Sequence, residues 1–244
     1  MNHLVALPEM SNRFHRTAEE LVEAYAKQGP VSSNQVTPPQ LVEALRQFLQ
    51  IATKLDQEQG ANGAIVGDDV DELGDHALSV TADLVTWTQE LGIKPLRIEL
   101  EKLAVAIADW VMRHRGHLRT LEPVVNALAD MANSVQAADS LRGMGQFMGR
   151  VIQATADVVK QDLEKTNPGR PWRLINLNRG IVAARSHDLH MMEEVFDDII
   201  RYLPEDAGPF FEEGMRQMEA LDYPAPVREV MARYFSAWTQ HRMH

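Results

Sequence analysis

Apolar residues recur along the chain at intervals of three and four, the spacing that places them on one side of an α-helix. The first stripe, Phe14, Leu21, Val22 and Tyr25, predicts a helix capped by Ser11, running to about residue 28 and stopped by Gly29 and Pro30. The second is Leu41, Leu45, Phe48, Leu49, Ala52 and Leu55. Thr37 caps it, and Pro38 takes the first helical position, where a missing N–H costs nothing. Glycines at 60, 63 and 67 predict a loop, after which Asp68 or Asp69 opens a third helix whose acidic first turn suits the helix dipole.

That helix ends near Leu91 and Gly92. Pro95 starts a fourth, with Leu96, Leu100, Leu103, Ile107, Trp110 and Val111 inward and Gly116 at its end. Thr120 caps a fifth, buried through Val124, Val125, Leu128 and Met131. Asp139 caps a long sixth, reaching about residue 165 before the break at Asn167, Pro168 and Gly169. Four more helices follow at about 171–186, 188–202, 205–221 and 225–240. Strand signals are nearly absent, and the connectors are short enough to fold successive helices back on one another. The expected fold is therefore all-α, with about ten helices in antiparallel hairpins, forming an α-solenoid or an irregular bundle. Its expected organisation is a tail at 1–10, a hairpin at 11–59, a loop at 60–68 and a hairpin-repeat domain at 69–244.

Within the last domain, Gly180 and Ala183 supply small side chains on one helix, and His187, Asp188 and Leu189 make a turn. Phe196 and Ile199 lie on the next helix, and Pro204 closes it. Residues 179–204 thereby resemble one tetratricopeptide repeat. Met192 stands where that family prefers a small residue and Ala183 where it prefers an aromatic one. Residues 100–133, with Gly116, His117 and Leu118 at their turn, have a similar shape. The two turns are compatible with two repeat units, but the long sixth helix between them interrupts strict periodicity. The resemblance implies a curved surface that binds a peptide or protein, and it carries over no ligand residues.

Composition narrows the function classes. Cysteine is absent from the 244 residues, which removes disulfides, thiolate metal sites and cysteine nucleophiles and suits a reducing compartment. The longest apolar run, near 103–112, is broken by Asp109 and too short to span a bilayer. The first ten residues lack the pattern of a secretory signal, so cytoplasm is the expected location. The net charge of −11 disfavours generic nucleic-acid binding. Residues 91–190 nevertheless carry 14 basic and 10 acidic side chains, against 5 and 14 in residues 1–90 and 5 and 11 in residues 191–244. A basic middle either complements the acidic ends inside the fold or faces an acidic partner.

Candidate chemistry is sparse. Gly143, Gly145 and Gly149 have the look of a dinucleotide fingerprint but lack a preceding strand. Three glycines in a helix point instead to close packing of a second helix, because glycine there costs about 0.5–1 kcal/mol relative to alanine. His114 and His117, and His187 and His190, are spaced to share a metal on a continuous helix, yet both pairs straddle predicted turns. Asp68, Asp69, Asp71, Glu72 and Asp75 lack the closing residues of a calcium loop. They faintly resemble the aspartate-rich motif of all-helical isoprenoid synthases, which would imply magnesium-dependent diphosphate chemistry. Ser186, His187 and Asp188 are sequence neighbours, unlike a catalytic triad, whose members meet through the fold. The methionines of the last four helices are expected to fill core.

No cofactor or metal is expected. The expected role is a non-catalytic module binding a protein or acidic peptide through Arg113, Arg115, Arg119, Arg173, Arg179 and Arg185. The alternatives are a magnesium-dependent helical enzyme using the 68–75 carboxylates and a helical homo-oligomer.

Overall fold

A computed structural model of the chain describes residues 6–28, 36–63 and 69–241. Asp68, Gly67 and the helix stop at Gly29 and Pro30 lie outside the described residues. Among the described residues the fold is all-α: α1 (Leu7–Gln28), α2 (Pro38–Gln59), α3 (Asp69–Glu90), α4 (Lys94–Arg113), α5 (Glu122–Ser134), α6 (Ala138–Ala154), the single turn α7 (Asp157–Lys160), α8 (Pro171–Ser186), α9 (Leu189–Tyr202), α10 (Pro204–Ala220) and α11 (Ala225–His241). No described helix is long and apolar enough to cross a membrane.

Several helix ends follow their sequence signals. Gln40 reaches back to accept from the Thr37 backbone N–H at 3.1 Å and from its hydroxyl at 2.8 Å, so the start of α2 is tied from both sides. Asp188 accepts from the Met191 N–H at 3.0 Å and caps α9. His187 before it adopts a left-handed conformation, φ 56°, that ends α8.

Others differ. α1 begins at Leu7, ahead of Ser11, because Leu7 and Met10 extend its buried face. Thr120 does not cap α5; its N–H is taken by Asp75, and Leu121 accepts from Val124 and Val125 instead. The long sixth helix stops at Ala154 rather than near residue 165. The Leu118 N–H donates to the Ala154 carbonyl at 2.8 Å, and the Leu118 carbonyl accepts from the Ala156 N–H at 2.9 Å. This isolated bridge between Leu118 and Thr155 draws the backbone out of the helical ladder.

The chain divides into two compact units: residues 1–130 with 153–163, and residues 131–152 with 164–244. In the first, α1 lies against α2 and α4, and α3 against α2 and α4, closing four helices around one core. Leu21, Leu45, Leu78, Leu84, Leu100, Leu103, Ile107 and Trp110 fill it without solvent contact. Trp110 stacks edge-on against Phe48 with centroids 5.5 Å apart. The indole of Trp110 donates to Asp56 at 2.9 Å, which satisfies its polar edge.

In the second unit, α8 pairs with α9 and α10 with α11, while α9 also lies against α10 and α11. Phe196 is the hub, with Phe210, Phe211 and Tyr234 edge-on around it at 5.2–5.7 Å. Gly145 and Gly149 of α6 face α8 and α9 at close range, as three glycines in one helix lead one to expect. A β-carbon at Gly149 would sit 2.9 Å from the Arg179 guanidinium, and one at Gly145 would sit 2.7 Å from the Met191 sulfur.

Candidate functional site

The sequence-derived arginines fall into two groups. In the second unit they are tied into the protein. Arg179 is buried; its guanidinium donates to the Gly145 carbonyl at 3.2 Å, to Asp198 at 3.0 Å and to Glu194 at 2.6 Å. Burial pushes the Asp198 carboxyl above its ordinary range, although Arg179 opposes the shift. Arg173 donates to Asp206 at 2.7 Å and to the Pro168 carbonyl at 3.0 Å. Arg185 donates to the Ala132 and Val135 carbonyls at 3.0 and 2.7 Å, completing the C-terminal end of α5. These three sit apart from one another and act as internal fasteners.

The first unit holds the other three, in the connection between α4 and α5. Arg113 closes α4 and is half-engaged: its Nε donates to Asp109 at 3.2 Å and its Nη1 to the Ala61 carbonyl. Beyond it the chain alternates. Arg115, His117 and Arg119 are exposed, while His114, Gly116 and Leu118 are buried. Alternation of this kind is strand-like, and the segment Arg-Gly-His-Leu-Arg carries it in its polar and nonpolar order.

The backbone of this tip is fastened on both sides. Asp71 accepts from the His117 N–H at 2.7 Å, and Asp75 accepts from the N–H groups of Arg119 and Thr120 at 2.9 and 2.8 Å. Leu118 makes the bridge to Thr155 described above. Gly116 permits the approach of Asp71, since a β-carbon there would meet Asp71 Oδ1 at 2.9 Å and Val70 at 2.6 Å. Below the tip the His114 ring is enclosed, Nε2 at 2.6 Å from Asp56 Oδ1 and Nδ1 at 2.6 Å from the Gly63 carbonyl. Both ring nitrogens face acceptors.

The arrangement presents three basic groups on a braced backbone. Among the described residues, no acceptor engages the Arg115 or Arg119 guanidinium. The side chain of His117 is 60% exposed, and its Nδ1 lies 3.4 Å from Asp71 Oδ2. The acidic stretch that drew attention in the sequence is thus spent at Asp71 and Asp75 on backbone N–H groups of the tip. Among the described residues, no three His, Asp or Glu side chains form a group able to hold a metal ion. In the sequence His117 stands only in a pair that straddles a predicted turn; the alternation from 115 to 119 is the signal for its outward position.

A second feature of this unit is a cleft of about 530 Å³ between α3, α4 and the start of α5. Arg97 lies in it, donating to Glu101 at 2.5 Å and also to Asp130. Bound foremost to Glu101, the guanidinium is held above its ordinary range. Its donors are engaged by these carboxylates.

Comparison with family models, with curated proteins and with solved structures gave no match to the chain.

Proposed function

We propose that the protein is a non-catalytic binding module whose α4–α5 tip receives an acidic segment of a partner protein. The observation that carries this reading is the bracing of residues 116–120 by Asp71, Asp75 and the Thr155 bridge, which leaves Arg115, His117 and Arg119 outward. A fixed backbone lowers the entropy lost when a ligand docks. A basic patch on a protein of net charge −11 also steers acidic segments toward one place.

In this reading the second unit contributes one hairpin of tetratricopeptide-like form, α8/α9. The packing of α9 against α8, α10 and α11 supports that finer description. So does Gly180, where a β-carbon would lie 2.7 Å from Ile199 and 2.6 Å from Phe210. A homo-oligomer is favoured by one observation, the excess of 11 acidic over 5 basic side chains in residues 191–244, which a basic tip on a second copy would complement.

The test reverses Arg115 and Arg119 to glutamate and leaves Arg113 alone, because Arg113 also holds the Ala61 carbonyl. Surface changes of this kind leave stability within about 0.5 kcal/mol. Partner capture from the native cell is expected to fall, and wild-type capture to weaken with added salt. Solution mass at two concentrations separates a second copy from a different partner. Unchanged capture by the reversed protein overturns the proposal.

A further inference from the structure

Helices α1 and α2 of the first unit enclose a cleft of about 260 Å³. Ser11 and His15 of α1 line it, with Arg46, Gln50, Lys54 and Gln57 of α2. Among the described residues no carboxylate lines it. That is a local inversion, since residues 1–90 carry 14 acidic side chains and only 5 basic ones.

Arg46 is the anomaly. It is half-buried, its Nε is closed off from solvent, and among the described residues nothing accepts from that nitrogen or pairs with the guanidinium. Arg97, Arg113, Arg173 and Arg185 are also half-buried, and each has found acceptors. A partly desolvated cation without a counter-charge is unfavourable, and the usual compensation is an anion that accepts from the guanidinium in its own plane. Lys54 adds a second, exposed charge, 3.7 Å from the exposed Glu58. Of the segments flanking these helices, residues 1–5 and 29–35 contain no Asp or Glu, and residues 60–68 contain one, Asp68.

We infer that this cleft binds a small oxyanion, the phosphate or carboxylate group of a low-molecular-weight ligand. Arg46 donates to the anion in bidentate fashion, Lys54 closes over it, and Gln50, Gln57 and Ser11 offer neutral donors. The volume sets the size. It falls below the roughly 300–1,000 Å³ of sites for drug-sized molecules and suits a phosphate group or a short acid.

Calorimetric titration of the full-length protein with inorganic phosphate, and separately with succinate, tests this at ionic strength held constant with sodium chloride. One saturable site is expected for at least one of the two, and which anion binds distinguishes the phosphate from the carboxylate source. Arg46→Gln should weaken that binding by about tenfold or more, and the exposed Lys54→Gln by a smaller factor. Without added anion, Arg46→Gln should leave the melting temperature unchanged or raised, because it removes an unpaired charge. No saturable heat with either anion overturns the inference, as does equal binding by both variants. A melting temperature lowered by several degrees in anion-free Arg46→Gln also overturns it, because an internal carboxylate such as Asp68 or the chain terminus is then the partner.

Discussion

Replacing Gly149 with leucine should destabilise the second unit through Arg179. The new β-carbon would stand 2.9 Å from Nη2, 3.0 Å from Cζ and 3.2 Å from Nε of that side chain. A flexible arginine would ordinarily swing aside, but this one is fixed by Gly145, Asp198 and Glu194. Overpacking of a filled site costs about 1–3 kcal/mol. Displacing the guanidinium from the Gly145 carbonyl and Asp198 adds about 1–2 kcal/mol, at the low end for hydrogen bonds to a charged group because Asp198 is partly solvated. Glu194 is 54% exposed, and its pair contributes under about 1 kcal/mol. The gain in helix propensity returns about 0.5–1 kcal/mol. The net expectation is a loss of about 2–4 kcal/mol, read by urea denaturation. A double-mutant cycle with Arg179→Ala sharpens the test: once the guanidinium is gone, leucine at 149 should cost much less. An unchanged midpoint in Gly149→Leu, or additive effects in the cycle, would refute the reasoning.

Three other outcomes follow from the same geometry. Gly116→Ala should cost about 1–3 kcal/mol and strip hydrogen-exchange protection from the His117 and Arg119 amides, because Asp71 and Val70 must retreat from the new methyl group. Asp188→Ala should cost about 1–2 kcal/mol at neutral pH by removing the α9 cap and the 2.7 Å partner of Arg142. The Met191 N–H first, and then Arg142, hold that carboxyl below its ordinary range. Its contribution is therefore present above about pH 4 and lost as pH falls through the folded value, so melting curves of the two proteins should converge in acid. Burial first, and then its 2.8 Å bond to Asp197, hold the Tyr234 phenol above its ordinary range. Its contribution is complete below about pH 10 and lost as pH rises through the folded value, so Tyr234→Phe should flatten the alkaline decline in stability.

Local signals were legible in the sequence and distant ones were not. Thr37 acts with Gln40 within one helical turn, so its cap is legible directly; Asp188 and Met191 are as close, though the sequence places Asp188 only in a turn. The end of α6 depends on Leu118, far away along the chain, and nothing near Ala154 announces it. The same holds for the arginines. Arg115 and Arg179 look alike as residues, yet one projects into solvent and the other meets acceptors drawn from α6 and α9. Charge alone reports neither outcome. The acidic run at 69–75 read as a possible metal motif, because the backbone N–H groups it serves lie more than forty positions later. Arg46 carried no signal, since its distinction is the absence of a partner, which only packing reveals.

The interleaving of the two units has a consequence for the order in which the protein matures. The first unit needs residues 153–163, which emerge only after the chain has laid down 131–152 of the other. During synthesis, the four N-terminal helices can collapse early, but Leu118 has no bridge until Ala154 and Ala156 arrive. The basic tip is therefore completed later than the bundle that carries it. A nascent or truncated chain ending before α6 would hold a formed core beneath a tip lacking one of its three braces. The third brace is then complete only after the chain has left the first unit and returned to it.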